Sequence, residues 1–237
     1  MGNFRGWSFV TGVFHAALAQ TYGIVSVSQT DTDKSDTDLT TYTFSTKALG
    51  AAATDRRIIA VIAARANAAR SISSVTIGGI SATALATANA TGSGADICAV
   101  YQAAVPTGTT GDVVVTFDNT MLRAFVTVLR VIGWPSGTAT ASSTDLTLSA
   151  QDLNASISCV ARGAIVGGII YLNTLSGATT TWTNLTESSD LQSVEATNNC
   201  SSAAFNNFAA AQSSLSITAT GTGTGSAGAM ALVALSP

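Results

Sequence analysis

Residues 123–132 alternate with a period of two. Phe125, Thr127, Leu129 and Val131 fall on one side, and Val126, Val128, Arg130 and Ile132 on the other. A helix cannot sort side chains this way, whereas a strand does so automatically. The same period recurs along the chain. Tyr42 and Phe44 alternate with Thr41, Thr43 and Ser45; Val113, Val115 and Phe117 with Val114 and Thr116; Leu215, Ile217 and Ala219 with Ser214, Ser216 and Thr218. The last of these has one apolar and one hydroxyl-bearing face, as in a sheet wetted on one side. Turn chemistry separates the runs, as at Pro106-Thr107-Gly108, Gly111-Asp112 and the Gly-Thr run 221–225.

Residues 55–70, DRRIIAVIAARANAAR, read either way: alanine favours helix, while the unbroken Ile58–Ala64 run fits a strand buried on both faces. An internal comparison favours the strand. Residues 162–172, RGAIVGGIIYL, match the first segment in character, and Gly167-Gly168 opposes a helix. A spacing of 102 residues then takes Cys98 to Cys200, Val113 and Val115 to Leu215 and Ile217, and Pro135 to Pro237. A duplication follows. The expectation is an all-β chain: a β-sandwich of the jelly-roll or immunoglobulin-like kind in two repeated units. These form either two sandwiches in tandem or one with pseudo-symmetric halves. The expected organisation is an anchor segment at 1–23, unit one at 24–135 and unit two at 136–237.

The N-terminal stretch is different. Phe4, Trp7, Phe14 and Leu18 recur at helical steps and form one apolar stripe, in a short helical or extended anchor. These four are the candidate docking residues, against the chain's own body or against a partner. Ala17-Leu18-Ala19 imitates a secretory cleavage site. However, Ser8, Thr11 and Gly12 interrupt the apolar run and only Arg5 supplies positive charge, so an anchor fits better.

Charge narrows the function classes. Only 10% of the 237 residues are charged, the net charge is −3, and the only lysines are Lys34 and Lys47. Nucleic-acid binding needs a basic surface that this chain lacks. No apolar run reaches the ~20 residues of a membrane-spanning helix. Sheet edges are usually defended by charge or proline, and both are scarce here, so coverage by neighbouring subunits is expected.

Catalytic constellations are missing. The single histidine, His15, lies within the apolar stripe, where a packed or surface role is the simpler reading, and one histidine makes no His-based metal site. Cys98, Cys159 and Cys200 form no C-x-x-C pair and read as reduced, buried thiols; an odd count still leaves one disulfide open. Asp31, Asp33, Asp36 and Asp38 crowd one segment, but an EF-hand would need Gly and Glu where Asp36 and Tyr42 stand, so a solvated acidic loop is expected. Asp55, Asp96, Asp112 and Asp118 sit where aspartate caps strand ends. Glu187 and Glu195 show no glycosidase spacing. Arg56, Arg57, Arg65 and Arg70 could gather an anion, but solvated strand ends are commoner. Trp134 and Trp182 could stack sugars, but tryptophan ending an apolar strand is more often core. The sequons at Asn89, Asn154, Asn184 and Asn199 are what a Ser/Thr-rich chain contains by chance. No P-loop or nucleophile-elbow motif occurs. No enzyme, cofactor or metal site is expected.

The segments VTIGGISATAL, AVPTGTTGDVVVTF and RAFVTVLRVIGW, continued by RGAIVGGIIYL and TTTWTNLTESSDL, resemble structural proteins of tailed bacteriophages. The likeness is to virion, tail or head-fibre proteins in phages of alphaproteobacteria, over residues 40–237. That resemblance implies a non-enzymatic β-sandwich virion component, such as a capsid-decoration, neck, tail or fibre protein, assembled in the host cytoplasm. Its implied partners are copies of itself, as a trimer or larger ring, and other virion proteins. The alternatives are a carbohydrate- or receptor-binding adsorption module that meets a host-surface glycan, and a secreted bacterial adhesin.

Overall fold

The computed structural model describes residues 23–90, 95–147, 152–173, 177–193, 198–222 and 227–237. The expected anchor, with Phe4, Trp7, Phe14 and Leu18, lies outside them. Every regular element among the described residues is a strand, so the chain is all-β. The first nine strands are β1 (Ser26–Ser35), β2 (Leu39–Ala48), β3 (Arg57–Ala66), β4 (Ile72–Ile77), β5 (Ile80–Ser81), β6 (Thr83–Asn89), β7 (Ala95–Ala104), β8 (Thr110–Met121) and β9 (Arg123–Ile132). The other eight are β10 (Ala141–Thr147), β11 (Asp152–Cys159), β12 (Ala164–Asn173), β13 (Thr180–Thr183), β14 (Thr186–Ser193), β15 (Asn198–Asn207), β16 (Gln212–Gly221) and β17 (Gly228–Leu235).

These strands make four antiparallel sheets. Sheet A runs β1-β9-β3-β7-β6 and sheet B runs β2-β8-β4-β5. Sheet C runs β10-β17-β12-β15-β14 and sheet D runs β11-β16-β13. Setting β6 aside, the first half pairs β1 with β9, β2 with β8, β3 with β7 and β4 with β5. This is a nested hairpin wound alternately over two sheets, the winding of a jelly roll. The second half repeats it, pairing β10 with β17, β11 with β16 and β12 with β15. Each strand of C and D has its counterpart in A and B in the same order.

Three apolar cores separate the layers, which stack as B, A, C, D. Tyr42, Phe44 and Phe117 of sheet B meet Ile58, Ile62 and Val126 of sheet A. Ile157, Trp182 and Ile217 of sheet D meet Ile165, Ile169 and Leu232 of sheet C. The third core joins the two sandwiches: Ile59, Val61, Phe125 and Leu129 of A pack against Val166, Ile170 and Val233 of C. Sheets A and C are therefore buried on both faces, which is why β3 and β17 are apolar at successive positions. Ile58, Ile59 and Ile62 are all fully buried, each worth about 1.5–3 kcal/mol of removed apolar surface. The ambiguous 55–70 segment thus contains a strand, β3, because both of its faces are needed.

The seam between the sandwiches is pseudo-twofold. β3 lies on its own counterpart β12. β6 lies against β10, and β14, the counterpart of β6, lies against β1, the counterpart of β10. The Gly167-Gly168 pair has a steric reason. A Cβ on Gly168 would lie 2.2 Å from Cγ1 of Val61 in sheet A, and one on Gly167 would lie 2.7 Å from Cδ2 of Leu232 on the adjacent strand and 3.2 Å from the Trp182 ring of sheet D. Glycine lets β12 approach both neighbouring layers closely.

The spacing of 102 holds in some strands and not in others. Val113 and Val115 face their own sandwich core, as Leu215 and Ile217 do. Cys98 and Cys200 do not correspond. Cys98 faces the seam, while Cys200 faces the core of its own sandwich. In β7 the inward positions are Ile97, Ala99 and Ala103, and in β15 they are Cys200 and Ala204. Matching those faces needs an odd spacing, because a one-residue slip turns every side chain over.

Gly168→Ala should destabilise the chain by about 1–3 kcal/mol in denaturant unfolding. Combining it with Val61→Ala should recover at least about 0.5 kcal/mol relative to additivity, because the second change makes room for the first.

Candidate functional site

The four arginines that read as a basic cluster are held apart by the strands. Arg56 and Arg57 stand at one end of β3, and Arg65 and Arg70 at or beyond the other. Arg56 is buried, and its guanidinium donates to five backbone carbonyls: Val105 at 2.6 Å, Gly50 and Thr107 at 2.7 Å, Gly108 at 2.8 Å and Leu49 at 3.4 Å. It ties the loop before β3 to the loop after β7. Burial pulls its pKa below the usual arginine value, and Arg130 adds to this. Arg57 donates to the carbonyls of Trp134 and Pro135 and to Gln102, and its guanidinium lies 5.6 Å from the Trp134 ring centre. Both arginines clamp loops, so neither the anion site nor the solvated strand end describes them.

Arg65 and Asp96 form a buried ion pair on the seam face of sheet A, with Nη1 3.1 Å from Oδ1. Beside it Arg123 donates across the seam to the Ser193 hydroxyl at 3.0 Å. Thr127 and Ser189 bridge the same seam at 2.8 Å, and Lys34 donates to the Gln192 carbonyl at 2.6 Å. Asp96 therefore does not cap a strand end. Burial pushes its carboxyl up to about 7, against the pull of Arg65 and Arg123. Sequence reasoning missed this polar seam, although arginines ending apolar runs were the available signal. The other aspartates behave as expected of turn residues: Asp55 accepts the Gly133 N–H, Asp112 the Thr46 N–H and Asp118 the Ser71 hydroxyl.

The acidic segment is mainly strand β1 and not a loop. Lys47 lies 2.7 Å from Asp33 and 3.9 Å from Asp31, and Lys34 lies 3.0 Å from Asp36. Both lysines of the chain are spent on these carboxylates. No group of three or more potential metal ligands occurs among the described residues. Charge also marks some of the other edge strands, with Lys47 on β2, Asp145 on β10, Asp152 on β11, and Glu187 and Asp190 on β14, while β5, β6 and β13 carry none. The charged edges carry their own protection against strand addition.

Trp134 is fully buried and donates to the Thr138 carbonyl, and Trp182 is nearly so and donates to the Ser202 hydroxyl. Neither presents a sugar-stacking face. All three cysteines are free and buried, and burial pushes the Cys98 thiol up to about 12 and the Cys200 thiol up to about 11, far from a reactive thiolate. Of the sequon asparagines, Asn199 is buried, Asn89 donates to the Arg70 carbonyl, Asn184 donates to the Ser216 carbonyl and Asn154 accepts from Thr218. His15 and Glu195 lie outside the described residues.

What remains exposed is regular. On sheet B, Thr41 and Thr43 stand beside Thr116 and Val114, which stand beside Ser74 and Thr76. On sheet D, Asn154 and Ser156 stand beside Thr218 and Ser216, with Thr181 and Thr183 beyond. The hydroxyls bond across strands, Thr41 to Thr116 at 3.2 Å and Thr218 to Asn154 at 2.6 Å. The middles of the two outer sheets thus present hydroxyl-rich, hydrogen-bonding faces, with Asp112 and Asp118 of β8 and Asp152 of β11 exposed toward their ends. Shallow depressions of about 290–370 Å³ lie at the loops and strand edges, one of them lined by Asp55, Arg56 and Arg57, whose polar groups are already engaged. No protein family, curated protein or solved structure matches this chain.

Two outcomes test these assignments. Arg56→Lys should cost about 3 kcal/mol or more in thermal or denaturant unfolding, because an ammonium cannot serve five carbonyls in a fixed fork. For Asp96, the folded chain holds a proton between pH 3.8 and about 7 that the unfolded chain has released. Its contribution to stability is fully present below that range and is lost as pH rises through it. Unfolding at pH 4 and pH 7.5 should therefore show the stability of the wild type, relative to Asp96→Asn, falling as pH rises.

Proposed function

We propose that this chain is a non-enzymatic structural component of a bacteriophage virion that works by assembling with copies of itself and with other virion proteins. The observation that carries the reading is the repeated jelly roll with hydroxyl-rich faces outward. Jelly rolls serve capsids and lectins alike, so the winding alone names no function. Here the reactive side chains are used up internally. The guanidinium of Arg56 clamps loops, the carboxylates of β1 neutralise the lysines, and the thiols are buried. Hydroxyl-rich, hydrogen-bonding faces with few charges suit packing between subunits, where burying a charge is costly. The sequence resemblance to phage virion proteins supports the same reading. In it, Phe4, Trp7, Phe14 and Leu18 belong to the attachment segment. The receptor-binding alternative would draw on exposed tryptophan, and the two tryptophans among the described residues, Trp134 and Trp182, are both inside.

Native mass of the full-length chain tests the reading. A trimer or larger ring is expected, and a monomer at every accessible concentration would contradict self-assembly. Thr41→Arg or Thr218→Arg should lower the assembled mass while leaving the melting temperature within a few degrees of wild type. Deleting residues 2–20 should abolish incorporation into particles.

A further inference from the structure

Sheet A ends at β6, which pairs with β7 alone among the described strands. The Ala90 N–H donates to the Asp96 carbonyl at 2.9 Å, and the register continues with Ala88 opposite Cys98 and Ala86 opposite Val100. Bonded and outward-turned residues alternate along an antiparallel ladder, so the backbone N–H and C=O of Thr87 and Asn89 point away from β7. Burial agrees: Ala86 and Ala88 are buried, and Thr87 is exposed. Above this edge lies β10 of sheet C. Its Ser142, Thr144 and Leu146 stand opposite Val233, Ala231 and Ala229, so they share the seam face, yet all three are exposed. β10 therefore overhangs β6, and the two strands frame a ledge. A depression of about 370 Å³, with Ala84, Leu85, Ala139 and Ser142 in its wall, opens at one end of it.

Charge sets this ledge apart from its pseudo-twofold twin. At the other rim Lys34, on the seam face of β1, donates to the Gln192 carbonyl on the edge of β14 at 2.6 Å, and β14 itself carries Glu187 and Asp190. There the chain occupies its own edge. By contrast, β6 and the uncovered face of β10 carry no charged side chain, because Asp145 of β10 turns the other way and accepts the Asn154 N–H at 2.7 Å. Among the described residues, β6 is the only edge strand longer than four residues that carries no charge. We propose that the ledge takes an extended, uncharged segment of a partner polypeptide, which adds to β6 as a further strand of sheet A. Outward ladder groups are complemented by another extended backbone, and an edge without charge is open to one. Width decides the form of the partner. A folded second copy pairing its own β6 here about a two-fold would bring its β10 over the same junction, against this β10, whereas a single segment fits beneath the overhang. Side chains of the segment turned toward β10 meet Ser142, Thr144 and Leu146, and those on its other face meet water, so it alternates apolar and hydroxyl residues. The site stands apart from the assembly reading; only the naming of another virion protein as its partner rests on that reading.

The test is an NMR titration of the isotope-labelled full-length chain with the synthetic peptide KTVTVTVTK, whose lysines flank the pairing stretch. Saturable amide shifts centred on Thr87 and Asn89 are expected, with hydrogen exchange at Thr87 slowed about tenfold or more. Thr87→Pro removes an N–H that β7 does not use, and Leu146→Arg puts a cation beneath the overhang at an exposed position. Each should leave the melting temperature within a few degrees of wild type and weaken peptide binding about tenfold or more. No saturable shift at millimolar peptide, shifts centred on another edge, or an affinity unchanged in both variants would each overturn the site. Self-association of the chain alone that Thr87→Pro abolishes would overturn the single-segment assignment and give the ledge to a second copy. A monomeric native mass would contradict self-assembly while leaving the outcome of this titration as it is.

Discussion

The close approach of sheets A and C at Val61 and Gly168 is the contact on which the rest of the structure depends. Each sandwich alone would expose one apolar face of a five-stranded sheet, including Ile59, Phe125 and Leu129 on one side and Val166, Ile170 and Val233 on the other. A patch of that kind cannot stay in water. Packing the two faces together removes both patches and turns A and C into central layers. The approach is tight enough that β12 must place glycine where a side chain would strike Val61. Interiors are packed to near-crystalline density, so this one position transmits the geometry of one sandwich to the other.

Polar groups at the seam add direction to a contact that apolar burial leaves unspecific. Arg123 to Ser193, Thr127 to Ser189 and Lys34 to the Gln192 carbonyl all link sheet A to sheet C on the β1 and β9 side. The pseudo-twofold counterpart of that side, where β6 meets β10, carries small and uncharged residues such as Ala84 and Ala139. The repeated winding thus supplies two similar faces, and their different rims make the two halves distinct.

Much of this was legible in the chain itself. Period-two alternation announced the strands, and the internal repeat resolved 55–70 in favour of β3. The unbroken apolar runs in β3 and β17 announced burial on both faces but not what covers them, because a strand cannot encode the identity of the layer above it. The Cys98 and Cys200 match failed for a similar reason. Residue spacing ignores the register slip that turns a strand over, and only the facing of Ile97 and Cys200 exposes it. The arginines were the largest surprise. A run of basic residues near strand ends gives no hint that Arg56 will find five carbonyls or that Arg65 will find a buried Asp96, since both depend on loops brought together from distant segments. The edge charges were visible, but they could not be recognised as edge defence before the strand order was known.

The central claim is that the seam makes the two jelly rolls one cooperative body. Native-state hydrogen exchange on the full-length chain tests it most directly. If the claim holds, the slowest amides of β3, β7 and β9 and those of β12, β15 and β17 exchange with one common opening free energy, equal to that of global unfolding. Two separate plateaus, with one sandwich opening while the other stays protected, would contradict it.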